Sequence, residues 1–142
     1  MLVQQAITTN FVCATPEEAI REAGRLLTVN GVAKDEYVEA MIASFHEFGA
    51  YFVITDAVAM PHARPEFGAI NTGLSVVVLS NDVVFGNEDF DPVRVVVGLA
   101  AKDSDSHIEA ITYLATLFED EAALEELKAA TTHQQVLKIF KN

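Results

Sequence analysis

The chain has 142 residues, a length that one domain with a single substantial core accounts for. Nine basic residues against twenty-one acidic ones give a formal net charge of -12, which argues against non-specific binding to a nucleic-acid backbone and favours a basic protein partner. Hydrophobic residues make up 51% of the chain, yet its apolar runs, such as Val76 to Leu79 and Val95 to Val97, are strand-sized and far short of the roughly 18 residues of a membrane span.

Met1-Leu2-Val3-Gln4-Gln5-Ala6 has no basic n-region and no long apolar stretch before a cleavage pattern, so no signal peptide is expected and the protein is expected in the cytoplasm. Its one cysteine, Cys13, follows Phe11 and Val12; it fits a reducing compartment and reads as a small buried hydrophobe rather than a nucleophile. Thr15-Pro16-Glu17-Glu18 starts a helix, with threonine as N-cap and proline at the first position. Ala19, Ile20, Ala23, Leu26 and Leu27 continue it at helical spacing, and Asn30-Gly31 stops it. A second helix begins near Lys34-Asp35-Glu36, carries Tyr37, Val38, Met41, Ile42 and Phe45 on one face, and ends at Gly49.

Tyr51 to Thr55 and Ala57 to Met60 are short and rich in β-formers, so they read as extended segments. Gly68 to Gly73 is a connection. Leu74 to Ser80 and Val93 to Ala100 are near-continuous apolar strands of the kind buried on both faces, with a turn at Asn81-Asp82, a brief strand at Val83 to Phe85 and a second turn at Gly86-Asn87-Glu88 between them. After a loop of capping residues, Lys102 to Ser106, the periodic Ile108, Ile111, Leu114, Leu117 and Phe118 form another helix with His107 in its first turn. Glu121 to Ala130 and Thr132 to Phe140 read as two short helices, separated by a break near Thr131-Thr132. Repeats and low-complexity linkers are not evident, so the order is that of one mixed α/β domain spanning 1–142.

One segment carries chemistry. In Met60-Pro61-His62-Ala63-Arg64-Pro65 each proline fixes its own φ and holds the residue before it extended, so His62 sits on a stiff backbone. An imidazole with a pKa near about 6.5 is partly neutral at neutral pH, with a bare ring nitrogen able to attack phosphorus or bind a metal. Arg64 adds a planar cation suited to phosphate oxygens. His107 stands where free N–H groups and the helix dipole favour an anion. The plain alternatives are a strand-end histidine at 62 and a capping loop with a surface histidine at 107. A metallohydrolase using His62, His107 and Asp103 or Asp105 is a third, weakened by the cationic Arg64 and by the lack of a local histidine pair.

Taken with Thr72-Gly73-Leu74-Ser75 and Asp105-Ser106-His107-Ile108, the segment Ala59 to Glu66 makes the chain resemble the enzyme IIA component of the phosphoenolpyruvate-dependent sugar phosphotransferase system. The likeness is to the mannitol/fructose superfamily, and within it to the ascorbate-type branch, which shares the Pro-His-Ala-Arg-Pro wording. It spans nearly the whole chain. It implies a mixed five-stranded sheet flanked by helices and no cofactor or metal. His62 would accept a phosphoryl group from the phosphocarrier HPr and donate it to a cysteine of the cognate enzyme IIB, which serves a membrane component IIC, for L-ascorbate or a related acid or polyol.

In that resemblance His107 corresponds to a second family histidine that helps to hold the phosphoryl oxygens; the chemistry of phosphoryl transfer adds Arg64 and the backbone N–H groups near Ser106 and His107 as further phosphate contacts. Asp103 or Asp105 would orient an imidazole. Mannitol-type members carry an arginine followed by glutamate sixteen residues before the active histidine; ungapped counting places His46-Glu47 there, with Arg64 as the substitute cation. A regulatory module, in which phosphorylation of His62 changes a protein contact, needs the same pocket. Short apolar strands leave an exposed edge open to a homo-oligomer.

Overall fold

The computed structural model describes residues 2–140; Met1 and Lys141-Asn142, the ends of the 1–142 domain assignment, lie outside them. Five strands, β1 (Leu2–Phe11), β2 (Val53–Thr55), β3 (Val58–Ala59), β4 (Gly73–Val83) and β5 (Val93–Ala100), form one sheet in the order β1-β4-β5-β3-β2. The sheet is mixed: β1 runs parallel to β4 and β3 parallel to β5, while β4 pairs antiparallel with β5 and β2 with β3. Five helices follow in chain order: α1 (Pro16–Val29), α2 (Asp35–Phe48), α3 (Ser104–Phe118), α4 (Glu121–Lys128) and α5 (His133–Ile139).

The central pair, β4 and β5, is buried on both faces as the valine-rich runs predict. On one face Val77, Leu79, Val96 and Ala100 pack with Ile20, Leu27 and Met41 of α1 and α2. On the other, Val76, Val78, Val95, Val97 and Leu99 pack with Leu114, Leu127 and Val136 of α3, α4 and α5. Alternate side chains of one strand thus feed two apolar layers. Helix boundaries match the capping residues. Thr15 accepts from the Glu18 N–H at 3.3 Å, Asp103 from the Ser106 N–H at 2.8 Å, and Thr132 closes a reciprocal capping box with Gln135. Gly49 ends α2 at φ +73°, a conformation that favours glycine. Cys13 is buried, and burial with the nearby Glu18 pushes its thiol pKa up.

Three local readings are corrected. Residues 2–11, for which the sequence suggests no element, form edge strand β1; its two glutamines, two threonines and asparagine hide the apolar signal. Asn81-Asp82 is not a turn, because β4 runs through it to Val83 with a register shift after Val78, and Asn81 instead donates to the Cys13 carbonyl at 2.8 Å. The extended segment before His62 starts at Val58, since Ala57 adopts φ +65° to close the β2–β3 hairpin and receives its bracing from Phe90, Arg94 and Val95 backbone groups.

Candidate functional site

His62 leaves the end of β3 just as β5 ends beside it, and the Leu99 N–H donates to the Pro61 carbonyl at 3.1 Å. The chain beyond β5 turns at Ala101 to Asp103 into α3, which brings His107 against His62: the ring centroids are 5.2 Å apart at an interplanar angle of 55°. Both rings line an open cleft of about 450 Å³ with Ser44, Phe48, Tyr51, Ala63, Arg64, Pro65, Asp103, Ser104 and Ile108. Three surface loops and two helices therefore converge at one end of the sheet.

The His62 ring has a defined protonation pattern. Its Nδ1 lies 2.9 Å from the Met60 carbonyl oxygen, which can only accept, so Nδ1 carries the proton and the neutral ring presents a bare Nε2. Burial holds the His62 pKa below the ordinary histidine value, and the positive potential of His107 adds to the effect; the Met60 hydrogen bond opposes both. Tyr51 packs edge-on against the ring at 5.7 Å, its hydroxyl 3.0 Å from Ser44 Oγ. These contacts leave a stiff, neutral ring with a bare Nε2 in a half-buried position.

The remaining candidates separate. Arg64 is exposed, lines the cleft and makes no ion pair among the described residues. Asp103 lines the cleft, but its carboxylate caps α3, and the Ser106 N–H holds its pKa below the usual carboxylate range. That bond also commits the Ser106 amide, and the His107 N–H donates to the Asp103 carbonyl at 3.1 Å. The backbone donors expected near Ser106 and His107 are thus in use. The free amides of the α3 first turn, among the described residues, are those of Ser104 and Asp105, one and two positions past the cap. The Ser106 and Asp105 side chains do not line the cleft, whereas Ser104 does.

The structure also does not bring His46 or Glu47 to His62. His46 Nε2 lies 2.8 Å from a Glu17 carboxylate oxygen on α1, lowering the Glu17 pKa, and Glu47 faces a neighbouring groove alongside Arg64 and Phe67. The α2 residues that reach the cleft are Ser44 and Phe48, two positions before His46 and two after it. At 3.6 residues per turn a step of two positions rotates a side chain by about 200°, so His46 lies on the face of α2 turned away from Ser44 and Phe48. The signal that identifies Ser44 is its i,i+4 spacing with Phe48, the other α2 residue in the cleft. Among the described residues no three His, Cys, Asp or Glu side chains are grouped so as to hold a metal ion.

The family model described as phosphoenolpyruvate-dependent sugar phosphotransferase system, EIIA 2, matches residues 1–142. The ascorbate-specific PTS system EIIA component of Salmonella typhimurium is 40% identical over 127 residues, covering 89% of this chain and 82% of the relative, and that of Escherichia coli K12 is 39% identical over the same span. Among solved structures, the mannitol-specific cryptic phosphotransferase enzyme IIA CmtB from Escherichia coli superposes with TM-score 0.87 at 35% identity, covering 97% of this chain and 93% of that one. Enzyme IIAMTL from Escherichia coli, solved in complex with phosphorylated enzyme IIBMTL, superposes with TM-score 0.86 at 33% identity, covering 98% and 96%. The chain belongs to the EIIA 2 family of the phosphoenolpyruvate-dependent sugar phosphotransferase system, and within it is similar to the ascorbate-specific members.

Proposed function

We propose that this phosphotransferase component works as a relay in which His62 Nε2 takes a phosphoryl group from the phosphohistidine of HPr and passes it to a cysteine thiolate of the cognate enzyme IIB. The observation that carries the reading is the pinned His62 tautomer facing His107 across an open cleft. In the first step the Nε2 lone pair forms the new N–P bond while the donor N–P bond breaks and the donor imidazole leaves with its electron pair. The Nδ1 proton stays on His62, and the Met60 carbonyl dipole offsets the positive charge that develops on the ring. In the second step the thiolate forms an S–P bond, and His62 leaves as the neutral ring it was.

Phosphoryl transfer needs positioning and stabilisation of the three equatorial oxygens more than covalent help. His107, Arg64 and the free amides of Ser104 and Asp105 are the groups suited to that task, so the transfer needs no metal. Phe48, Tyr51 and Ile108, respectively 64%, 47% and 62% exposed, form an apolar rim that suits docking of a protein partner and exclusion of water from the reacting groups.

The similarity to ascorbate-specific relatives supports L-ascorbate, or a related acid or polyol, as the substrate carried by the membrane component IIC that the IIB serves. A phosphoryl acceptor fed by HPr works in the cytoplasm, and no helix among the described residues is long and apolar enough to cross a membrane. An exposed edge at β1 or β2 leaves a homo-oligomer open.

The test is incubation with phosphoenolpyruvate, enzyme I and HPr, followed by intact mass at alkaline pH. Wild type should gain one acid-labile phosphoryl group and His62→Ala none. Transfer onward to purified IIB, with loss of the group from His62, distinguishes a relay from a module that only signals through its phosphorylation. An unmodified wild type would refute the relay.

A further inference from the structure

Tyr37 is fully buried in the first turn of α2, with its ring among the apolar residues that cover one face of the sheet. A phenylalanine would fill such a place, yet the hydroxyl at its tip reaches two backbone segments of the site. The Ala63 N–H donates to it at 3.0 Å, and it donates to the Leu99 carbonyl at 2.8 Å, with the Ala63 carbonyl at 3.1 Å as a second acceptor. Leu99 in turn donates its own N–H to Pro61. The peptide groups on both sides of His62 are therefore tied to the same residue of β5, directly through Pro61 and through the Tyr37 hydroxyl at Ala63. Leu99 is also where β5 leads toward α3 and His107.

We propose that Tyr37 is a positioning residue for phosphoryl transfer: its hydroxyl clasps Ala63 to Leu99, and so fixes the His62 backbone relative to His107. The inference rests on the relay reading. A hydroxyl has one proton and two lone pairs, and here the proton and one lone pair bridge two main-chain groups, the Leu99 carbonyl and the Ala63 N–H. The ring supplies packing that phenylalanine would reproduce, whereas the bridge is lost with the oxygen. Without it His62 is held on one side only, and its Nδ1–H bond to Met60 depends on that backbone. Burial pushes the Tyr37 pKa up to about 12, which keeps the hydroxyl protonated and able to donate.

The test compares Tyr37→Phe with Ser75→Ala. Ser75 is another buried hydroxyl, bonded to the Ala23 carbonyl at 2.8 Å between β4 and α1, away from the cleft; its removal controls for loss of a buried hydrogen bond. Two readouts are taken on folded protein: the single-turnover rate of phosphorylation by phospho-HPr, and the His62 tautomer from imidazole nitrogen chemical shifts. Tyr37→Phe should slow transfer by roughly 10- to 100-fold, the scale of an ångström-sized misplacement, and mix the tautomers, while Ser75→Ala leaves both as in wild type. Equal losses in the two variants, or wild-type rate and tautomer in Tyr37→Phe, would overturn the proposal.

Should Tyr37→Phe fail to fold, amide exchange in wild type decides: Ala63 should exchange as slowly as the β5 amides, and exchange at the rate of an open loop refutes the clasp. If wild type is not phosphorylated at all, the relay reading fails, and the tautomer and exchange arms still judge the clasp.

Discussion

The rings of His62 and His107 stand 5.2 Å apart although one comes from the loop after β3 and the other from the first turns of α3. Of the two rings, only His62 has a nitrogen held by a backbone acceptor among the described residues, so in the proposed relay His62 carries the group and His107 faces its oxygens. His107→Ala should still acquire the phosphoryl group, but more slowly, by about 10² as found when one preorganised donor is removed from a transfer site. Rapid-quench measurement with phospho-HPr checks this. An unchanged rate would remove His107 from the transition state.

The lowered His62 pKa has a sign that can be followed. Its folded value lies below the unfolded one, near about 6.5, so between the two the unfolded chain binds more protons. The stability this group contributes is whole above pH of about 6.5 and is lost as pH falls through the folded pKa. The acid limb of the phosphorylation rate should accordingly fall below pH of about 6.5, because protonation of Nε2 removes the nucleophile. Proton NMR titration of the His62 ring, compared with a model histidine peptide, checks the direction. A midpoint at or above the peptide's would contradict the burial argument.

Arg64 and His46 should behave oppositely. Arg64 is exposed in the cleft and unpaired among the described residues, so Arg64→Ala should leave the melting temperature nearly unchanged while slowing phosphorylation roughly tenfold or more, with Arg64→Lys recovering part of the rate. His46 spends its ring on Glu17, so His46→Ala should transfer within about twofold of wild type; an exposed pair of this kind contributes at most about 1 kcal/mol to stability. The pair of rates, taken side by side, identifies which cation serves the phosphoryl group.

Much of this site is legible in the residue order, and the failures have physical reasons. The two prolines around His62 and the capping run before His107 act locally, so the stiff loop and the helix start follow from a few adjacent residues. Ser44 and Tyr37 do not, because their importance depends on which face of α2 turns to the cleft and on a hydroxyl reaching residues 26 and 62 positions away. Sequence spacing carries no such contact. Edge strand β1 is hidden for a different reason: with a partner on one side only, it keeps Gln4 and Gln5 in solvent, and among its described side chains those fully buried are Ala6 and Ile7.

The packing of α1 on the sheet offers a last test, one of stability. Gly98 in β5 sits beneath α1, and a Cβ there would run into Ser75 Oγ and come within 3.1 Å of Ala23 Cβ. Gly98→Ala must therefore either push Ser75 off its bond to the Ala23 carbonyl or lift α1, and overpacking of this kind costs about 1–3 kcal/mol. Ser75→Ala alone loses that bond but also clears the space. The double variant should then be more stable than the sum of the two single losses allows, since the contact that makes Gly98→Ala costly is absent from it. Urea denaturation of the four proteins closes the cycle, and strict additivity would show that Ser75 is not what constrains position 98.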